Sequence, residues 1–234
     1  VATDGLVRTG RSSMNQAPVT GESAPVEKEP GQKVFAGSIN GEGSLEVEAT
    51  TSYANNTIQR IIAMVRNARV TIEGVWLTHA HLDHIGAIAA IRREWNVPVW
   101  LHPADLPIYR RASQQAAFYG LTMEQPPDPD GALADGDALE VGGLRFSVRH
   151  TPGHSPGHVV FLGERAMIGG DLLFAGSIGR TDLPLSDPDA MESSLGLVAT
   201  FDRETTVYPG HGPPTSIGEE LATNPYLASA ARSV

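Results

Sequence analysis

The feature that most constrains this chain is the run Thr78-His79-Ala80-His81-Leu82-Asp83-His84, which puts four side chains able to bind a metal into six residues. It lies between an apolar stretch, 70–77, that reads as a strand and a segment, 85–95, whose Ile85, Ile88, Ile91 and Trp95 share one helical face. In extended backbone, side chains two apart point the same way, so His79 and His81 can grip one ion from the same side. The turn that follows can swing Asp83 and His84 toward a second. Packing offers no reason to gather three imidazoles and a carboxylate at a strand–helix junction, so the run reads as a metal-binding element.

Three further candidates lie far along the chain. His154 sits in Thr151-Pro152-Gly153-His154-Ser155-Pro156-Gly157-His158, Asp171 follows the strand-like 167–168 and Gly169-Gly170, and His211 sits in Tyr208-Pro209-Gly210-His211-Gly212. Flanking Gly and Pro fix unusual backbone angles, which lets a loop aim one side chain at a fixed point. A lone histidine near a strand end is more often a satisfied core or surface residue than a ligand, and His102, His150 and His158 keep that reading. The chain has no cysteine, which excludes disulfides, thiolate ligands and a cysteine nucleophile. The donor set therefore consists of imidazole and carboxylate, which suits Zn²⁺ first and also Fe²⁺ or Mn²⁺.

A net charge of −10 argues against a nucleic-acid partner, because such binding needs Lys and Arg to neutralise phosphates. No apolar stretch approaches the roughly 20 residues of a membrane-spanning helix, so a cytoplasmic protein acting on a small molecule is expected. Residues 1–33 are rich in Gly, Ser and Pro and read as irregular structure or short strands. The runs 34–39 and 45–50 flank Asn40-Gly41-Glu42-Gly43 and read as a hairpin. Ile58, Ile61, Ile62 and Val65 put a helix over 57–67. Beyond it, strands over 70–77, 97–101, 144–149, 159–162, 165–168 and 205–208 alternate with helices over 85–95 and 188–200, the latter capped by Asp187-Pro188. A Pro- and Asp-rich connection spans 125–136. This alternation predicts an α/β layered fold.

The stretch 70–227 resembles the metallo-β-lactamase superfamily. The resemblance implies a four-layered αββα sandwich with an atypical N-terminal portion and two divalent metal ions at one edge of its sheets. His79, His81 and His154 would hold the first metal, Asp83, His84 and His211 the second, and Asp171 would bridge them. It also implies a dinuclear hydrolase in which a bridging hydroxide attacks a small acyl substrate, with Asp83 orienting the water and handling its proton. The segments Gly176-Ser177-Ile178-Gly179-Arg180-Thr181-Asp182-Leu183-Pro184, 209–220 and Thr223-Asn224-Pro225-Tyr226-Leu227 are similar to compact glyoxalase II-like enzymes, which implies a glutathione-type thioester as substrate. Lactone or β-lactam hydrolysis and persulfide dioxygenation are the rivals within the class, and a metal-binding but catalytically silent chimera is the rival outside it. Arg180 either contacts a substrate carboxylate or pairs with Asp182 to brace its loop.

Residues 4–67 resemble instead the actuator domain of a heavy-metal-transporting P-type ATPase, through 15–26 with its Thr20-Gly21-Glu22 and through 34–41. The chain carries no Asp-Lys-Thr-Gly-Thr motif, so neither transport nor a catalytic role for Glu22 is expected. The two resemblances meet in the helix over 58–67, which implies a chimera joined there. The expected division is an actuator-like segment, 1–56, whose 34–50 hairpin completes the sheet of a hydrolase domain, 57–234.

Overall fold

The computed structural model describes residues 5–16, 25–35, 38–41, 43–49, 70–118 and 123–232. The helix expected over 57–67 and the Thr20-Gly21-Glu22 loop lie outside them. The chain divides into two compact units, Val1–Ile72 with Ala116–Met123 and Glu73–Gln115 with Glu124–Val234.

In the first unit, an eleven-residue strand β1 (Gly5–Asn15) is the centre of a five-stranded sheet. Strands β2 (Val26–Lys28), β3 (Lys33–Val34), β4 (Ile39–Asn40) and β5 (Ser44–Ala49) each pair antiparallel with β1. The expected hairpin is thus corrected, because its two runs pair with β1 rather than with each other, and residues before 31 supply the central strand. A register shift lies between Val7 and Thr9. It explains why the buried positions change parity along β1, from Val7 to Ser12 and Met14. Gly10 follows the shift at φ +92°, where a Cβ would overlap the Ser44 carbonyl oxygen. Val7, Met14 and Val34 form a small core with Leu45 and Val47. Arg8 pairs with Glu48, and Arg11 with Glu29, on the exposed side.

The second unit holds two main sheets. Strands β6 (Val75–Trp76), β7 (Val99–Leu101) and β8 (Gly131–Ala132) form a parallel sheet. A six-stranded sheet follows, built from β9 (Ala138–Val141), β10 (Leu144–His150), β11 (Val159–Leu162) and β12 (Ala166–Gly170), interrupted in sequence by the small pair β13 (Leu173–Phe174) and β14 (Ser177–Ile178), and completed by β15 (Thr206–Pro209) and β16 (Thr215–Ser216). Its order is β16-β15-β12-β11-β10-β9, antiparallel except where β12 lies parallel to β15. Alternation along β11 sorts side chains between two cores. Val159 and Phe161 pack with Val148 and with Trp76 and Trp100 of the parallel sheet. Val160 points the other way, with Met167 and Val207, into a core shared with Met191, Leu195, Val198, Ile217 and Leu227 from the helices Pro188–Ala199, Ile217–Thr223 and Pro225–Ala230. This is the expected α/β sandwich.

Two elements differ from their sequence reading. The strand over 70–77 shrinks to β6, since Val70 is exposed and the ladder begins only where Val75 N–H reaches the Pro98 carbonyl at 2.9 Å. The helix over 85–95 is two helices, Leu82–Ile85 and Ile88–Trp95, separated at Gly86-Ala87 and ended by Asn96 at φ +48°. The connection 125–136 also contributes β8. Among the described residues, no helix is long and apolar enough to cross a membrane.

The helix Pro188–Ala199 begins as its sequence predicts, with Asp187 accepting from the Asp189 and Ala190 amides at 2.9 and 3.0 Å. Asp187→Ala should lower stability by about 1 kcal/mol, and Leu195→Ala, which empties a buried site, by about 3 kcal/mol. Urea unfolding of the full chain would read both, and the cap variant proving the costlier would contradict this view of the core.

Candidate metal centre

The seven candidate ligands come from four loops that the sheets bring to one edge. The end of β6 meets the β10–β11 connection because Val159 N–H donates to the Thr78 carbonyl at 2.8 Å. The ends of β12 and β15 are joined by Gly210 N–H donating to the Gly170 carbonyl at 2.7 Å. His81 keeps extended angles (φ −69°, ψ 155°) as the residue before the helix Leu82–Ile85, and helical winding then turns Asp83 and His84 away from the direction of His79 and His81.

Two clusters result. His79, His81 and His154 form one, and Asp83, His84, Asp171 and His211 form the other; within each, one potential ligand atom per residue lies within 4.8 Å of all the others. Asp171 touches both, with its carboxylate 3.4 Å from His154 Nε2, 3.3 Å from His84 Nε2 and 3.4 Å from His211 Nε2. The structure thus brings together all seven. Gly210 is what allows the approach of the last loop, since a Cβ there would overlap Asp171 Oδ1 and sit 2.8 Å from His84 Cε1.

The environment favours cations. Among the described residues His79 Nε2 and His211 Nδ1 are buried without a hydrogen-bond partner, an arrangement that costs about 1–3 kcal/mol per group when nothing else satisfies them, and His84 Nε2 and Asp171 Oδ1 meet each other at 3.3 Å. His154 Nδ1 donates to the Arg180 carbonyl at 2.8 Å, which leaves its Nε2 lone pair facing His81 Nδ1, also 2.8 Å away. A shared cation lets both nitrogens present lone pairs. Burial, reinforced by His154, lowers the His81 pKa to about 4. Burial and then His84 push His79 well below its usual range. In the other cluster, hydrogen bonds to Asp171 and Asp83 raise His211 to about 10 against the opposing effect of burial. Burial alone would raise both carboxylates, but His211 and His84 more than reverse it, so Asp83 and Asp171 are ionised. His79 and His81 are therefore neutral imidazoles, and the other cluster is an anionic pocket neutralised by protons that a metal can replace. The residues fit divalent cations.

Arg180 does not point its guanidinium at either cluster; it makes a bidentate ion pair with Asp182 at 2.8 and 2.9 Å, as the bracing alternative has it. His102 and His150 stack on each other with ring centroids 4.1 Å apart, outside both clusters. His158 is not a ligand candidate either, yet it is fully buried and accepts the Asp171 N–H at 3.0 Å while its Nδ1 meets Thr151 Oγ1 at 2.9 Å. Sequence reasoning passed over it, and also over Asp105, which is fully buried beside these loops. The one signal for Asp105 is its setting, a carboxylate between apolar residues at the end of a strand.

Residues 50–211 match the model of the metallo-beta-lactamase superfamily, and residues 1–66 match the P-type ATPase actuator domain. The chain is 34% identical over 186 residues to hydroxyacylglutathione hydrolase GloC of Haemophilus influenzae, covering 75% of this chain and 84% of that protein. It is 36% identical over 172 residues to the probable metallo-hydrolase YqgX of Bacillus subtilis, covering 72% and 82%. Among solved structures, TTHA1623 in a di-iron-bound form is 43% identical with a TM-score of 0.67, covering 72% of this chain and 84% of that one. BLEG-1 B3 metallo-beta-lactamase is 36% identical with a TM-score of 0.64, covering 73% and 84%.

Gly210→Ala should displace the Asp171 carboxylate and so cost the ion of the Asp83, His84, Asp171 and His211 cluster while leaving far-UV circular dichroism unchanged. Elemental analysis after gel filtration would measure this. Full loading of both clusters would mean that Asp171 has room to move.

Proposed function

The chain belongs to the metallo-beta-lactamase superfamily, and from that premise we propose that it is a dinuclear metal-dependent hydrolase of small acyl compounds whose substrate is a glutathione-type thioester. Asp171 carries the dinuclear reading, because a single carboxylate within 3.4 Å of His154 on one side and of His84 and His211 on the other is placed to serve two ions at once. The thioester reading is supported by the likeness to GloC, which extends over most of that protein.

His79, His81 and His154 would hold one ion, Asp83, His84 and His211 the other, and Asp171 both. When bound, the two divalent cations, Zn²⁺ in the first instance, supply Lewis-acid activation, lowering the pKa of a water and polarising the carbonyl that it attacks. The residues of the chain do the rest. His154 is fixed as one tautomer by the Arg180 carbonyl, so its orientation does not depend on the ion. Asp171 is held from behind through its amide by His158. Asp83 Oδ2 lies 3.0 Å from His211 Nε2 and is kept ionised by it, so it can take up the proton that the attacking water gives up. The exposed Arg180–Asp182 pair can trade its carboxylate for one on the substrate at little cost, since solvent screens an exposed ion pair.

Purified protein should contain about two divalent ions per chain. Asp171→Ala should lower that content and reduce kcat/KM by more than about 100-fold, beyond the range for residues that only support a ligand. Undiminished thioesterase activity in chelator-treated, metal-free protein would sink the proposal. Arg180→Ala should raise KM about tenfold for an anionic thioester and leave a neutral ester unaffected; equal changes for the two would assign Arg180 to loop bracing alone. A second reading, β-lactam hydrolysis, is favoured by the likeness to BLEG-1. The same panel separates the two, since turnover of a β-lactam in preference to any thioester would select it.

A further inference from the structure

Asp105 ends the short 3-10 turn Pro103–Asp105, which follows β7, and it is completely buried. Among the described residues, no basic side chain forms an ion pair with it. Its carboxylate is instead saturated by three donors from two distant loops. Oδ2 accepts the Ala80 N–H at 2.8 Å and the Ser155 hydroxyl at 2.8 Å, and Oδ1 accepts the Gly157 N–H at 2.6 Å. Ala80 lies between His79 and His81, and Ser155 follows His154. One side chain is therefore bonded beside all three imidazoles of the first cluster. None of its hydrogen bonds reaches a residue of the Asp83, His84, Asp171 and His211 cluster.

A buried carboxylate is costly, and burial pushes its pKa up while Ser155, Gly157 and Ala80 pull it back. An apolar side chain would fill the same space without that cost, but it could not tie the loops. The fit is also closed from the other side. A Cβ on Gly157 would lie 2.6 Å from the Asp105 nitrogen and 2.9 Å from its Cγ, so the backbone of the His154 loop rests directly on Asp105.

We propose that Asp105 is the positioning residue of the first metal cluster, fixing the distance between the His79–His81 segment and His154 and so setting the affinity of that cluster without touching its ion. The proposal rests on the reading of both clusters as metal sites. Its signature is selectivity. A ligand-supporting residue typically changes metal affinity 10–100-fold, and here the change is confined to one of two ions, whereas a merely structural role would weaken both together.

The test is a competition titration with zinc ions and a chromophoric chelator on the full chain, with His154→Ala and His84→Ala identifying which binding step belongs to which cluster. Asp105→Asn, which keeps the shape but sets an amide against the donors, should weaken the step lost in His154→Ala by 10–100-fold and leave the step lost in His84→Ala within threefold of its original affinity. Ser155→Ala, which removes one donor of three and leaves the carboxylate, should weaken the same step by a smaller factor. It also keeps the question open to measurement should Asp105→Asn fail to fold. Equal weakening of both steps, or no change in either variant, overturns the positioning role while leaving the dinuclear reading intact. Absence of any zinc binding by the unmodified chain overturns both.

Discussion

The structure depends on making five imidazoles and two carboxylates share one buried edge. Each would prefer water or a partner, and among the described residues the edge provides no hydrogen-bond partner for His79 Nε2 or His211 Nδ1. The second cluster balances its charge with a proton on His211, while burial keeps His79 and His81 neutral. Much of the surrounding architecture serves this concentration of ligands. The parallel contact of β12 with β15 brings Asp171 beside His211, Gly210 removes the side chain that would separate them, and the Thr78–Val159 hydrogen bond delivers the His154 loop to the end of β6.

How much of this was legible in the sequence follows from how local each signal is. Four ligand candidates between 79 and 84 stand out because no packing requirement concentrates such residues. Asp171 and His211 could be singled out only because Gly and Pro mark the loops that carry them. The β11 strand and the Asp187-capped helix were readable since alternation and capping are nearest-neighbour effects. By contrast, β1 looked irregular. Its register shift changes which positions are buried halfway along, so no single alternation runs through it, and Arg8, Thr9, Gly10 and Arg11 occupy the exposed places. Asp105 and His158 were invisible for another reason. Their partners are backbone amides and hydroxyls far away in sequence, and nothing in the identity of Ala80, Gly157 or Thr151 announces a hydrogen bond.

The N-terminal unit has its own logic. Its sheet is organised around β1, with every described strand bonded to it, and its small core of Val7, Met14 and Val34 is made from that strand and its neighbours. The matches to the actuator domain and to the metallo-beta-lactamase superfamily overlap over 50–66. The second unit contains the sandwich and all seven candidate ligands.

The candidate ligands run from position 79 to position 211, and every one of the four loops between them closes only after a sheet has formed. In polymer terms, the centre consists almost entirely of long-range contacts, whose loop-closure entropy must be overcome before any coordination bond can contribute. A nascent or partly unfolded chain therefore presents at most the local group at 79–84 to a metal ion. An ion held across β12 and β15 would therefore stabilise their pairing, because opening them separates Asp171 from His211.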